Sequence, residues 1–333
     1  MTEKGAIMSK LIIVGNGLDL EHKLHTGYLD FKQWFEREYL EDYESFRDNF
    51  KVNSCELWAN LEEALGRIAS EDLYERLMAS AEGSRDILLE EDGMLTLNAE
   101  ETLESTEGYE QGLVNLKTTE VMQADFREWI EQQDNTIPSS SIRSLAPVPE
   151  LVPDNWFLSF NYTHTLERLY GIPEQRICHI HGEVGKDIIL GHDRDKEIDD
   201  LLDPVNSEKE FMSIDDLVRK VMQNLIKKPY ERTFKNTEER AGCWLVPFLN
   251  SMAEIFTDKI IEVYVIGHSL SEIDSEYFRQ IEKRLLPYWT IYVYKLDSNN
   301  FDDTQKRLES YGIDRSRISI RDSSQFWNNK ASQ

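Results

Sequence analysis

The feature that most limits what this chain can fold into is a repeated transition: a short apolar run, a turn of glycine and polar residues, then helix-forming sequence. It appears first in KLIIVGNGLDLEH, where Leu11–Val14 meets Gly15-Asn16-Gly17 and a helix start. It returns in NWFLSFNYT, from Trp156, before the short helix HTLERLYG. ICHIHG and DIILGHD read as two further strands. The C-terminal part alternates most clearly: strand Ile260–Ile266, turn GHSLSEID, helix Glu276–Leu285, strand Thr290–Lys295, helix Asp302–Gly312, strand Arg317–Arg321. Parallel strands need helical crossovers, so this order predicts an α/β, doubly wound, mainly parallel Rossmann-like sheet covered on both faces. In such sheets ligands sit outside the carboxyl ends of the strands, where the strand order reverses. Every polar motif described below lies at or near such an end.

Long helical stretches interrupt the alternation. Aromatic residues at helical spacing mark about Tyr28–Phe50, and residues 55–133 carry helical patterns such as ELWANLEEALGRI and QADFREWIEQQ. A Pro/Ser-rich connection, TIPSSSIRSLAPVPELVP, returns the chain to the sheet. The expected organisation is a Rossmann-like core built from 8–50, 151–195 and 258–325, with large helical insertions at 51–150 and 196–257.

Charge narrows the function classes. The 63 acidic and 37 basic side chains give a formal charge of −26, and no cluster of Lys and Arg with interleaved aromatics stands out. Such a surface repels phosphate backbones, so direct nucleic-acid binding is not expected. Three widely spaced cysteines, Cys55, Cys178 and Cys243, suggest neither a disulfide framework nor a Cys-based zinc site. No apolar run approaches the roughly 20 residues of a membrane span, and MTEKGAI lacks the charged and apolar regions of a signal peptide. A cytoplasmic protein with reduced thiols is the expectation, and no membrane partner.

Four motifs could carry chemistry. In Gly15-Asn16-Gly17-Leu18-Asp19 the glycines permit a tight turn and close approach of a phosphate, although Leu20 stands where a dinucleotide fingerprint has its third Gly. A plain βα turn with Asp19 as helix cap explains the residues equally well. In Phe160-Asn161-Tyr162-Thr163 the Asn amide could hold a ribose hydroxyl or a water, or form an Asx-turn or N-cap for the helix Thr165–Tyr170. In His179-Ile180-His181-Gly182 strand alternation would place both imidazoles on one face, and Gly182 permits close ligand approach. His192-Asp193 adds polar groups near it. In Gly267-His268-Ser269-Leu270, with Asp274 behind, Ser269 and Asp274 offer ribose or phosphate contacts, or Asp274 caps a helix.

As an ordered set, GNGLD, FNYT, HIHG with its following GHD, and GHSLSEID resemble the AbiH-like abortive-infection family of bacteria. That resemblance implies phage defence by a response in which the infected cell shuts down. The same order is similar to a divergent sirtuin-type NAD-binding core. There, a glycine turn holds the cofactor, an Asn and a His before Gly perform catalysis, and a late G-x-S turn grips the cofactor. It implies Asn161 and His181 as catalytic residues. Gly15, Asn16, Gly17, Asp19, Thr163, Gly267, Ser269 and Asp274 would then contact the cofactor. Thr163 stands where the sirtuin pattern has Asp, and the zinc-binding cysteines of sirtuins are missing, which argues against protein deacylation.

The expected activity is NAD hydrolysis to nicotinamide and ADP-ribose. Asn161 would position water or ribose, His181 would be the general base, and Asp19 or Asp274 would supply the anion; NAD is the ligand and no metal is expected. Two alternatives stay open. One is a metal-dependent phosphoesterase using His179, His181, His192 and Asp193. The other is a nucleotide sensor without turnover that acts through a protein partner or as a homo-oligomer.

Overall fold

The computed structural model of the chain describes residues 10–50, 58, 61–62, 65, 71–91, 93–138, 148–191, 213–233, 235–255 and 262–328. Six strands form one parallel sheet: β1 (Leu11–Val14), β2 (Trp156–Ser159), β3 (Ile177–His179), β4 (Glu262–Ile266), β5 (Tyr288–Val293) and β6 (Ile318–Asp322). Their order is β3-β2-β1-β4-β5-β6, so the progression reverses between β1 and β4. This is the doubly wound arrangement that the alternation predicts. Leu11 pairs with Trp156 on one side and with Val263 on the other.

All four β1 residues are fully buried, because helices cover both faces of a parallel sheet. Leu11 and Ile13 point into a cluster with Leu158, Val265, Phe278 and Trp289. Ile12 and Val14 point the other way, against Phe157, Leu166, Ile266 and Phe326. Each such side chain contributes about 1.5–3 kcal/mol by leaving water, so a charged residue at any β1 position would break the core.

The chain divides into two compact units: residues 1–27, 127–188 and 236–333, which hold the sheet, and residues 28–126 and 189–235. The boundaries differ from those expected from sequence, and the packing explains why. The helical stretch expected within the core over Tyr28–Phe50 is two helices, Tyr28–Glu38 and Leu40–Phe50, separated at Tyr39. They bury Phe31, Phe35, Tyr43 and Phe46 in an aromatic group with Trp58. These residues belong to the second unit. Within that unit Leu77, Leu88 and Leu103 pack against Leu217, Val221 and Leu225 of the helix Ile214–Thr233. In the other direction, Leu245, Leu249 and Met252, expected in an insertion, bury themselves in the cluster behind the sheet.

DIILGHD does not add a seventh strand. Ile188 makes a single bridge to Gly182, because the chain folds back tightly: a Cβ on Gly182 would stand 1.9 Å from the Asp187 carbonyl oxygen. His192, Asp193 and Ile260 lie outside the described residues. Among the described residues no helix is long and apolar enough to cross a membrane.

Candidate functional site

The segments that leave the carboxyl ends of β1, β2, β3 and β4 carry the ten residues expected to act in catalysis or to contact the cofactor. The first and last of these segments interlock. Gly17 N–H donates to the Gly267 carbonyl at 2.9 Å and Gly15 N–H to that of Ile266 at 3.1 Å. A Cβ on Gly17 would lie 2.5 Å from Gly267 Cα, and one on Gly15 would lie 2.6 Å from the Gly267 carbonyl oxygen. Gly267 itself adopts φ +68°, a left-handed conformation that side chains resist. The glycines therefore let two backbone turns touch.

The helix after the first turn, Gly17–Glu21, is capped by the backbone of Asn16. The Asn16 side chain instead accepts the Thr26 hydroxyl at 2.5 Å. Asp19 is not a cap. Its carboxylate is almost wholly buried and accepts the hydroxyls of Thr163 and Thr165, each at 2.6 Å. Burial pushes the Asp19 carboxyl up to about 6, against the pull of Thr163, Thr165 and Asn161, which favour the charged form. Thr165 was not singled out from sequence. Its signal was a second hydroxyl two residues beyond Thr163, visible only once the turn brings both to one carboxylate.

Asn161 caps no helix either: His164 is the N-cap residue of Thr165–Tyr170 and makes no side-chain cap. The Asn161 backbone is held at both ends, its N–H by Ser159 Oγ at 3.2 Å and its carbonyl by His179 Nδ1 at 3.1 Å. Its carboxamide is buried, and among the described residues neither terminal atom makes a hydrogen bond of ordinary geometry. A buried amide normally has partners, and leaving one without them costs about 1–3 kcal/mol per group.

The two histidines of HIHG do not share a face. β3 ends at His179 and the chain turns at once, with Gly182 N–H donating to the His179 carbonyl, so strand alternation stops before His181. The His181 imidazole is buried against Phe160 and Tyr277, with Nε2 3.3 Å from Asp274 Oδ1. Asp274, the N-cap residue of Ser275–Leu285, makes no side-chain cap. Its second oxygen faces His268 Nε2 at 3.4 Å. His268 Nδ1 accepts the Leu270 N–H at 2.9 Å, so in the neutral ring the proton sits on Nε2, towards Asp274. One buried carboxylate thus lies between two imidazoles. Ser269 does not join them: it is exposed, and its carbonyl accepts from Arg307 at 3.0 Å.

His179 enters a separate charged group. Its Nε2 meets Glu167 Oε1 at 2.9 Å and Glu183 Oε2 at 3.7 Å, and these carboxylates raise its proton affinity despite burial. His164 bridges Glu183 and the buried Asp134, whose second contact is Arg168 at 2.7 Å. Asp134 is held well below the ordinary carboxylate range by His164 and Arg168 acting against burial. A metal set uniting His179 and His181 is therefore not formed, and His192, the third histidine of that alternative, is outside the described residues.

Chemically, the carboxyl edge offers an amide, a buried carboxylate with two hydroxyls, and an imidazole beside a carboxylate, all on segments that follow β1, β2, β3 and β4. No curated protein matches the chain. The model of the family described as bacteriophage abortive infection AbiH matches residues 11–294, from the first residue of β1 to just past β5 and across all four of these segments. The chain belongs to the bacteriophage abortive infection AbiH family.

Proposed function

We propose that this abortive-infection protein binds NAD at the carboxyl edge of its sheet and hydrolyses it to nicotinamide and ADP-ribose. The observation that carries the reading is the Asn161 carboxamide, buried beside the Asp19 carboxylate with neither terminal atom in a hydrogen bond of ordinary geometry among the described residues. A ribose hydroxyl or a water would supply both a donor and an acceptor to that amide. The pairing of His181 with Asp274 supports the same reading, because a base works best when a carboxylate fixes its ring.

In the reaction the bond between the ribosyl C1′ and the nicotinamide nitrogen breaks. The electron pair leaves with nicotinamide, which departs neutral. Positive charge gathers on the ribosyl carbon and is met by Asp19, ionised at neutral pH. Water adds to C1′, and its proton passes to His181. Oriented groups of this kind lower the barrier chiefly by electrostatics. The glycine turn takes a changed role: Gly15 and Gly17 pack against Gly267, and the phosphates meet what the interlocked turns leave exposed.

The test uses cells in which the protein protects against phage. NAD and nicotinamide are followed through infection for the wild type, Asn161→Ala and His181→Ala. Loss of NAD with the wild type, and retention with both variants, is expected. Protection with unchanged NAD would overturn the reading.

A further inference from the structure

We propose that Glu167, His179 and Glu183 form a binding site for one divalent first-row cation such as Zn²⁺ or Mn²⁺. The site stands independently of the nucleotide reading, since none of the three belongs to the residues assigned to NAD. One ligand atom from each residue lies within 4.8 Å of the other two. His179 Nε2 stands 2.9 Å from Glu167 Oε1 and 3.7 Å from Glu183 Oε2. Donors placed tetrahedrally around a metal at about 2.0–2.1 Å are themselves about 3.3 Å apart, so each of the two histidine–carboxylate distances lies within about 0.4 Å of that spacing.

The surroundings are those of a ligand set. A metal-bound imidazole usually donates its other N–H to a carbonyl or carboxylate, which fixes the ring. His179 does this: its Nδ1 faces the Asn161 carbonyl at 3.1 Å and leaves Nε2 for the carboxylates. His164 repeats the pattern, with Nδ1 on Asp134 at 3.0 Å and Nε2 on Glu183 Oε2 at 3.2 Å, which makes it the nearest further donor. Lys186 takes the other Glu183 oxygen at 2.6 Å, leaving Oε2 as a single ligand atom. The second oxygen of Glu167 is buried and accepts no hydrogen bond among the described residues. His179 itself is almost inaccessible, whereas Glu167 and His164 retain some exposure, which gives an ion a way in. One imidazole with two carboxylates suits the borderline cations better than Mg²⁺ or Ca²⁺, which prefer oxygen alone.

Such an ion would tie the helix Thr165–Tyr170 to the end of β3 and to the loop after HIHG. Through His179 it would also fix the Asn161 carbonyl, so the ligands stiffen the two turns on which Asn161 and His181 sit.

The experiment takes the purified full chain, strips it with a chelator, and titrates Zn²⁺ and Mn²⁺ separately in competition with a chromophoric chelator. One equivalent of either ion is expected to bind the wild type and His181→Ala. His179→Gln and Glu183→Gln are expected to bind at least 100-fold more weakly. Co²⁺ added to the wild type should give visible bands of a site with nitrogen and oxygen ligands and no thiolate charge transfer, a readout that needs no variant to fold. Failure of the wild type to bind Zn²⁺ and Mn²⁺ at one equivalent, a thiolate band, or wild-type affinity in both folded variants would overturn the proposal. None of these results depends on whether NAD is consumed.

Discussion

Gly267→Ala isolates the cost of the contact between the first and fourth turns. Gly267 and Gly171 have nearly the same positive φ, +68° and +65°. Their surroundings differ completely. A Cβ on Gly171 meets nothing within 4 Å, whereas one on Gly267 would stand 2.7 Å from Gly17 Cα and from the Leu18 amide nitrogen. Both substitutions incur the left-handed penalty of about 1–2 kcal/mol. Only Gly267→Ala must also push apart two backbones tied by hydrogen bonds, and overpacking of this kind costs about 1–3 kcal/mol more. Gly171→Ala should therefore destabilise by about 1–2 kcal/mol and Gly267→Ala by about 2–5 kcal/mol. In a chain of this size each kcal/mol lowers the melting temperature by roughly 2–4 °C or somewhat less. Urea unfolding followed by tryptophan fluorescence, with thermal melts beside it, reads the difference. Equal losses in the two variants would refute the interlock, because the conformational penalty alone would then account for both.

Other variants probe the buried carboxylates. Asp274→Asn should leave the fold intact and lower kcat for NAD by about 10²–10⁴ with little change in KM, since it disturbs a base rather than a binding contact; a change confined to KM would reassign Asp274 to binding. Asp19 binds its proton more tightly when folded, with a carboxyl near 6 against the ordinary 3.8. Between those values the unfolded chain holds fewer protons, so Asp19 removes stability as pH rises from about 4 to 6, by about 3 kcal/mol in all. Asp19→Asn should flatten that slope in urea unfolding at pH 4–7, and parallel slopes would show that Asp19 does not titrate there. Asp134→Ala removes acceptors for the His164 amide and ring and for Arg168. It should cost about 1.5–3 kcal/mol, and an unchanged unfolding midpoint would contradict the clamp.

Much of the sheet could be read from the amino-acid order because its central strands are brief, largely apolar runs ended by polar turns. Leu11–Val14 is buried on both sides, so its composition alone separates it from the flanking helices, and Glu262–Ile266 is buried at Val263, Val265 and Ile266. The roles inside the turns were harder to read. Capping was a reasonable local account of Asp19 and Asp274, but both carboxylates find partners more than 80 residues away. HIHG misled because strand alternation was extended past His179, where the chain already turns. DIILGHD misled because its apolar residues fill the return of a loop. Glu167, His164 and Asp134 carry no motif, and their grouping exists only through the turn after β2. His268 was in plain view beside Gly267, yet its partner is fixed by the helix that follows.

The strand order also sets a timetable for synthesis. β1 sits at the middle of the finished sheet, but its neighbour β2 is encoded about 145 residues later and β4 about 250 residues later. At roughly 5–20 residues per second, a ribosome delivers the second neighbour about 12–50 s after β1 leaves the tunnel. During that interval Leu11–Val14 forms a sticky, half-paired ribbon next to a growing chain. The nascent protein should therefore lean on chaperones more than its finished stability would suggest, and a truncation ending before β4 should aggregate rather than fold.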